Sequence, residues 1–199
     1  MELAKLQQQK HFAIHQKITM MVNRYVVLAS DASGSETEQI AFVEQKRMAF
    51  REEVTFYADQ SKHEQLMRFK ARKVIDLSSG YDVTTPDGTV IGLFRKDFGS
   101  SLLRSTWHLE QPGAPAIIGH ERNMMIALLR RLWDFLPFVD MVPFAWPYHF
   151  DFGSPAGPVM TVEKKVALRD QYVLTVHADA LDRRLAIAMA VALDALQSR

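Results

Sequence analysis

Short runs of alternating apolar and polar residues occupy most of the chain between residues 11 and 177. A period of two residues is typical of a β-strand with one buried and one solvated face, and roughly a dozen such runs can be counted. The clearest unit is residues 81–96, in which Pro86-Asp87-Gly88 supplies a turn between two alternating stretches. No helical pattern separates the early strands, so the sequence predicts an antiparallel sheet.

The last stretch of the chain, residues 184–199, contains a helix that is apolar on every face. Alanine alternates there with larger apolar residues, and alanine favours helix over strand. The larger side chains recur at every second position, about 200° apart on a helix, and so cover all of its faces: Leu185, Ile187, Met189, Val191 and Leu193. A membrane span needs roughly 20 apolar residues, about twice the length of this run before Asp194. The helix is therefore predicted to lie buried inside the protein.

About twelve antiparallel strands can close into a barrel that is wide enough to hold a helix along its axis. At 1.5 Å per residue, the segment 181–197 would be roughly 25 Å long, comparable with the height of a barrel. Either Asp179 or Asp182 can provide its N-cap. The predicted fold is mainly β. It is a single domain over residues 1–199, in which an antiparallel barrel of about twelve strands encloses the hydrophobic C-terminal helix.

Two segments interrupt the strand pattern. Residues 30–39 are predominantly polar and predict a loop. Residues 121–147 predict a helical insertion between the ninth and tenth strands, because apolar residues follow i, i+3, i+4, i+7 spacing until Pro137 ends the helix. The insertion is dense in aromatic and methionine side chains: Trp133, Phe135, Phe138, Met141, Phe144 and Trp146. Three interpretations stay open, namely a cover that seals the barrel, an interfacial membrane segment, and a homodimer surface.

The composition narrows the function classes. The 199 residues are 48% hydrophobic, and the net charge of +1 argues against a dedicated nucleic-acid-binding protein. The chain has no cysteine, which excludes disulfides, thiolate nucleophiles and cysteine metal sites. Because the start of the chain is polar and no apolar segment is long enough to span a bilayer, we expect a cytoplasmic protein without a signal peptide.

A basic strand is the candidate binding site. In LMRFKARK, residues 66–73, the i, i+2, i+4 spacing directs Arg68, Lys70 and Arg72 to one face, with Lys73 beside them. Such a group of cations can hold an anionic lipid headgroup. The alternatives are an ordinary solvated strand face and an edge that charge protects against pairing.

Signatures of catalysis and of metal binding are not found in the sequence. The seven histidines are scattered without the spacing of a metal site, and His11 and His15 share a strand face beside lysines. No G-x-S-x-G motif or glycine-rich phosphate loop occurs, and the serines of FGSS, residues 98–101, have no recognisable base nearby. We therefore expect no catalytic residue, no metal and no cofactor, and hence not an enzyme.

Three features of the chain resemble the LURP-one-related proteins. Glutamine-lysine strand ends occur in IHQK (14–17) and FVEQK (42–46), the hairpin 81–96 follows, and residues 171–196 read as strand, acidic turn and apolar helix. The resemblance covers roughly residues 10–197. It implies a twelve-stranded barrel around a central C-terminal helix, as in the related phospholipid scramblases and the tubby C-terminal domain. For function it implies phosphoinositide binding, lipid scrambling or no known activity.

The chain departs from the scramblases in two respects. Scramblases carry an acidic calcium-binding segment before the final helix, whereas this chain has only Asp179 and Asp182 there and no D-x-D-x-D-G loop. Scramblases also carry cysteines for lipidation and a longer final helix. We therefore expect a non-enzymatic module, peripheral to the membrane, that binds anionic phospholipid headgroups without calcium control. The alternative is a structural or protein-interaction module that forms homo-oligomers through residues 121–147.

Overall fold

The structure is a computed structural model, and it describes residues 2–17, 22–46, 53–72, 80–97, 105–122, 149–165 and 171–196. These residues form twelve strands and two helices. In chain order the elements are α1 (Leu3–Gln8), β1 (His11–Lys17), β2 (Val22–Ser30), β3 (Glu36–Lys46), β4 (Glu53–Tyr57), β5 (Gln65–Ala71), β6 (Tyr81–Thr84), β7 (Val90–Asp97), β8 (Thr106–Glu110), β9 (Ile117–Glu121), β10 (His149–Ser154), β11 (Gly157–Lys165), β12 (Gln171–Val176) and α2 (Arg183–Ala195).

The strands form a closed antiparallel barrel in sequence order. Each strand pairs with the next along the chain, and β1 closes the barrel by pairing with β12, with Ile14 opposite Tyr172. The predicted twelve-stranded barrel is therefore confirmed. The alternation of apolar and polar residues explains why these segments are strands. In β4, for example, Val54 and Phe56 are buried while their neighbours are partly exposed.

The C-terminal helix fills the barrel, as predicted. Every residue of α2 from Leu185 to Leu193 is at most 1% exposed. Asp182 is the N-cap, and its side chain accepts a hydrogen bond from the Arg184 N–H at 2.9 Å. The helix lies close to the sheet at Gly92 of β7, where an added Cβ would stand 2.6 Å from Leu185 Cδ2. A larger residue at this position would push the helix away from the wall.

Successive strand connections alternate between the two ends of the barrel, because all neighbouring strands are antiparallel. We call the end at which α2 begins the proximal end and the end at which α2 finishes the distal end. The helix α1 and the start of β1 lie at the proximal end, where Gln7 Nε2 donates to Asp182 Oδ1 at 2.9 Å. At the distal end, the start of β2 and the start of β12 meet the last turn of α2.

The predicted loop 30–39 is wrong in part, since Ser30 ends β2 and residues 36–39 belong to β3. Only residues 31–35 connect the two strands, and Asp31 accepts hydrogen bonds there from the Ser33 and Ser35 N–H groups. Residues 36–39 are all exposed. Because this end of β3 packs against no core, it lacks the apolar positions by which a strand is recognised in a sequence.

The predicted insertion is flanked by two described strands. Glu121 ends β9 and His149 begins β10, so the chain leaves and re-enters the sheet between the ninth and tenth strands. Residues 123–148 lie outside the described residues. With them lie all six side chains predicted to contact a membrane or a partner, namely Trp133, Phe135, Phe138, Met141, Phe144 and Trp146.

Candidate functional site

The candidate site is the outer face of β5 near the distal end. Within this strand Met67 and Phe69 point into the core, at 3% and 0% exposed. Arg68 and Lys70 alternate with them and point outward, and Arg72 follows directly after the strand. The side chains of the three cations are 41–44% exposed. We call these three residues the β5 basic surface; Lys73, the fourth predicted member, lies outside the described residues.

Glu53 of β4 contacts two of the three cations. In the β4–β5 register Glu53 lies directly opposite Lys70, whose Nζ is 2.9 Å from Glu53 Oε2. The guanidinium of Arg68 is 3.6 Å from Oε1 of the same carboxylate. Among the described residues, one acidic side chain is thus shared between two basic ones.

Asp82 of β6 binds the third cation. Arg72 Nε donates to both carboxylate oxygens at 2.9 and 3.0 Å, and Arg72 Nη2 lies 2.7 Å from Asp82 Oδ1. This hydrogen bond raises the pKa of Arg72 above its ordinary value, so the guanidinium is fully charged. Gly80 supports the arrangement, because its carbonyl accepts from the Arg72 N–H at 3.0 Å while its φ of +83° suits glycine.

The β5 basic surface and its two carboxylates leave an excess of positive charge. Three cations face Glu53 and Asp82, which flank Lys70 on its two sides in the sheet register. A phosphate could approach these half-exposed cations from solvent, but it would compete with the two carboxylates for them. The sequence shows the three cations but not this competition, because Glu53 and Asp82 belong to other strands and the strand register decides what they meet.

Acidic side chains predominate at the proximal end of the barrel. Among the described residues there, in residues 2–10, the strand connections, the strand ends next to them and the start of α2, acidic side chains outnumber basic ones two to one. The acidic ones are Glu2, Asp31, Glu36, Glu38, Asp59, Glu64, Asp87, Glu110, Asp179 and Asp182, and the basic ones are Lys5, Lys10, Lys62, Arg183 and Arg184. The β5 basic surface lies toward the other end, with Arg72 just beyond the distal end of its strand. An anionic surface would therefore repel the proximal end.

The lumen holds a polar cluster that sequence reasoning missed. Near the distal end, Asp194 of α2 accepts a hydrogen bond from Tyr25 Oη at 2.7 Å and another from Tyr172 Oη. Gln45 Nε2 donates to the Ala195 carbonyl at 3.2 Å, and Gln45 Oε1 accepts from Asn23 Nδ2 at 2.8 Å. These bonds satisfy the end of the helix inside the barrel. In the sequence, the one acidic residue at the end of an apolar run, Asp194, signals a buried polar contact. Only the fold shows that Tyr25 and Tyr172 reach this residue.

The two aspartates before α2 pair with basic side chains. Asp179 lies 3.0 Å from Lys10 Nζ, and Asp182 caps the helix and pairs with Arg184 at 2.6 Å. In the part of the chain that the structure describes, no group of three histidine or acidic side chains could hold a metal ion.

An open groove of about 760 Å³ lies on the opposite wall of the barrel, over β10 and β11. Arg122 at one side of the groove is held by Asp151, with Nη2–Oδ1 and Nε–Oδ2 distances of 2.6 and 2.8 Å. His177 Nε2 at the other side lies 3.4 Å from Thr161 Oγ1. Asp151 thus engages the arginine, and the imidazole of His177 contacts the hydroxyl of Thr161.

No helix among the described residues is both long enough and apolar enough to cross a membrane. In α2 the apolar surface is instead used inside the barrel, where the strands cover it.

A model of the LURP-one-related family matches residues 39–194, from within β3 to within α2. Strands β1 and β2 precede this range and complete the barrel. No curated protein and no solved structure matches the chain significantly. Because the family model covers more than half of the chain, the chain belongs to the LURP-one-related family.

Proposed function

We propose that this protein is a non-enzymatic cytoplasmic module that binds anionic phospholipid headgroups at a membrane surface through the β5 basic surface. The observation that carries the proposal is the row of Arg68, Lys70 and Arg72 on one outer wall, each more than two-fifths exposed. The lumen is filled by α2, so a headgroup has to be held outside the wall.

The expected binding is weak and electrostatic. Each lysine or arginine near an anionic membrane contributes about 1 kcal/mol, and salt screens the attraction within a distance of about 8–10 Å. Two carboxylates already share the three cations, which reduces the net attraction.

The acidic proximal end supports one orientation, in which the distal part of β5 faces the membrane and the start of α2 faces away. Resemblance to the scramblases and the tubby C-terminal domain, for which lipid contact is implied, agrees with this proposal.

The test is flotation of the purified protein with phosphatidylcholine vesicles that contain phosphatidylserine. Arg68→Gln, Lys70→Gln and Arg72→Gln together should abolish co-flotation and leave the melting temperature nearly unchanged, because all three side chains point to solvent. The matched control changes the same amount of charge on the opposite wall: Arg122→Gln, Lys164→Gln and Lys165→Gln. Equal flotation of the β5 triple variant and the wild type would remove this surface from consideration.

A second candidate function is self-association through residues 121–147. It is favoured by the density of aromatic and methionine side chains in the segment that joins Glu121 of β9 to His149 of β10. Such a group of apolar side chains is typical of an interface when it is not part of a core. Light scattering of the purified protein tests this candidate, since a monomer at all accessible concentrations would exclude it.

A further inference from the structure

The acidic neighbours of the β5 basic surface are placed on both sides of it. The register sets Glu53 of β4 opposite Lys70 on one side and Asp82 of β6 opposite Lys70 on the other. The two carboxylates are 28% and 30% exposed, whereas the cations are 41–44% exposed. The carboxylates are therefore more covered than the basic side chains that pair with them, and more of each cation's surface is open to solvent.

Ion pairs of this exposure are weak and exchange readily, because water screens them and both side chains lose conformational freedom when they pair. A membrane that carries anionic lipid offers many competing charges in one plane. Whether the three cations turn to the membrane therefore depends on how much negative charge the membrane presents. At a low content of anionic lipid, the ion pairs with Glu53 and Asp82 persist. At a high content of anionic lipid, the headgroups replace these two carboxylates as partners of the cations.

We infer that Glu53 and Asp82 set the density of anionic lipid at which this surface binds, by competing with the headgroups for Arg68, Lys70 and Arg72. The inference rests on the proposed lipid binding and adds a selectivity role for two residues that touch the cations but not the lipid. Both carboxylates repel anionic headgroups as well as occupying the cations. Their removal should thus strengthen binding instead of weakening it.

The experiment titrates phosphatidylcholine vesicles with increasing phosphatidylserine and records the fraction of protein that floats. The variant Glu53→Gln with Asp82→Asn should bind about tenfold more tightly at a given phosphatidylserine content, and half-maximal binding should move to a lower content. The matched control is Asp151→Asn with Glu163→Gln, which removes two paired carboxylates from the opposite wall. The control should shift the titration far less.

A third variant shows whether the carboxylates act through the cations. When Glu53→Gln and Asp82→Asn are added to the Arg68→Gln, Lys70→Gln, Arg72→Gln protein, the tenfold gain should disappear. A melting curve for every variant separates binding from folding, and the partly exposed position of the pairs on the outer wall predicts folded proteins throughout.

The outcomes separate the inference from the function on which it rests. If the wild type binds through the basic surface but the Glu53, Asp82 variant binds no better, or the control gains as much, the inference is overturned and the proposed function stands. If neither the wild type nor the Glu53, Asp82 variant floats with any anionic vesicle, both are overturned. The inference would be supported if the Glu53, Asp82 variant floats at phosphatidylserine contents at which the wild type does not bind the vesicles.

Discussion

The hydroxyl of Tyr25 in β2 donates a hydrogen bond to Asp194 of α2 at 2.7 Å, and so joins the barrel wall to the far end of the central helix. Tyr172 of β12 donates to the other oxygen of the same carboxylate. Strands β2 and β12 lie on either side of β1, so the side chain of Asp194 connects the two strands that neighbour β1. The helix is thereby fixed along the barrel axis as well as being buried.

Replacing Asp194 by Ala should lower the free energy of unfolding by about 1–3 kcal/mol, because the hydroxyls of Tyr25 and Tyr172 would be left in the lumen without their acceptor. Urea denaturation measures this change. The double variant with Tyr25→Phe should cost less than the two single changes added together. Strict additivity would mean that the bond between Tyr25 and Asp194 does not contribute to stability.

Replacing Met189 by Asp should cost several kcal/mol, comparable with the whole stability of a domain, because the new carboxylate would be buried without a partner. Ile118→Asp is the matched control, since Ile118 is 39% exposed on the outer face of β9. Circular dichroism during heating compares the two proteins. An unchanged melting temperature for the Met189 variant would show that α2 does not fill the barrel in solution.

Acid should destabilise the protein in part through Asp182. Burial alone would raise the pKa of this carboxyl, but hydrogen bonds from Arg184 and Gln7 outweigh burial and hold the pKa below its ordinary value of 3.8. A carboxyl with a lowered pKa in the folded state stabilises the fold above pH 3.8, and this contribution is lost as the pH falls through the folded pKa. Stability curves for Asp182→Asn should therefore fall less steeply with acid than those of the wild type. Parallel curves would contradict this assignment.

The barrel and its helix could be predicted because both depend on local patterns. Alternation marks strands with one buried face, and a helix as apolar as Leu185–Leu193 has to be enclosed. Strand register is not a local property, so neither the pairing of Glu53 with Lys70 nor that of Asp82 with Arg72 could be foreseen. The first residues of β3 were missed for a related reason, since a strand that extends beyond the core has no apolar face.

The density of aromatic and methionine residues in the segment 121–147 predicts that this segment takes part in association. Phe138→Ser with Phe144→Ser should weaken self-association or vesicle binding more than it lowers the melting temperature, if these side chains serve an interface. Light scattering, flotation and thermal melting of the same preparation measure the three quantities. A large loss of stability without any change in association would assign the segment to the core.

The central claim is attraction between this barrel and an anionic membrane, and flotation of the wild-type protein with two kinds of vesicle tests it most directly. The protein should float with phosphatidylserine-containing vesicles at low salt, remain behind with pure phosphatidylcholine vesicles, and be released when the salt is raised to about 1 M, where charges are screened within about 3 Å. The same distribution in neutral and anionic vesicles, or no flotation with either, would contradict the account.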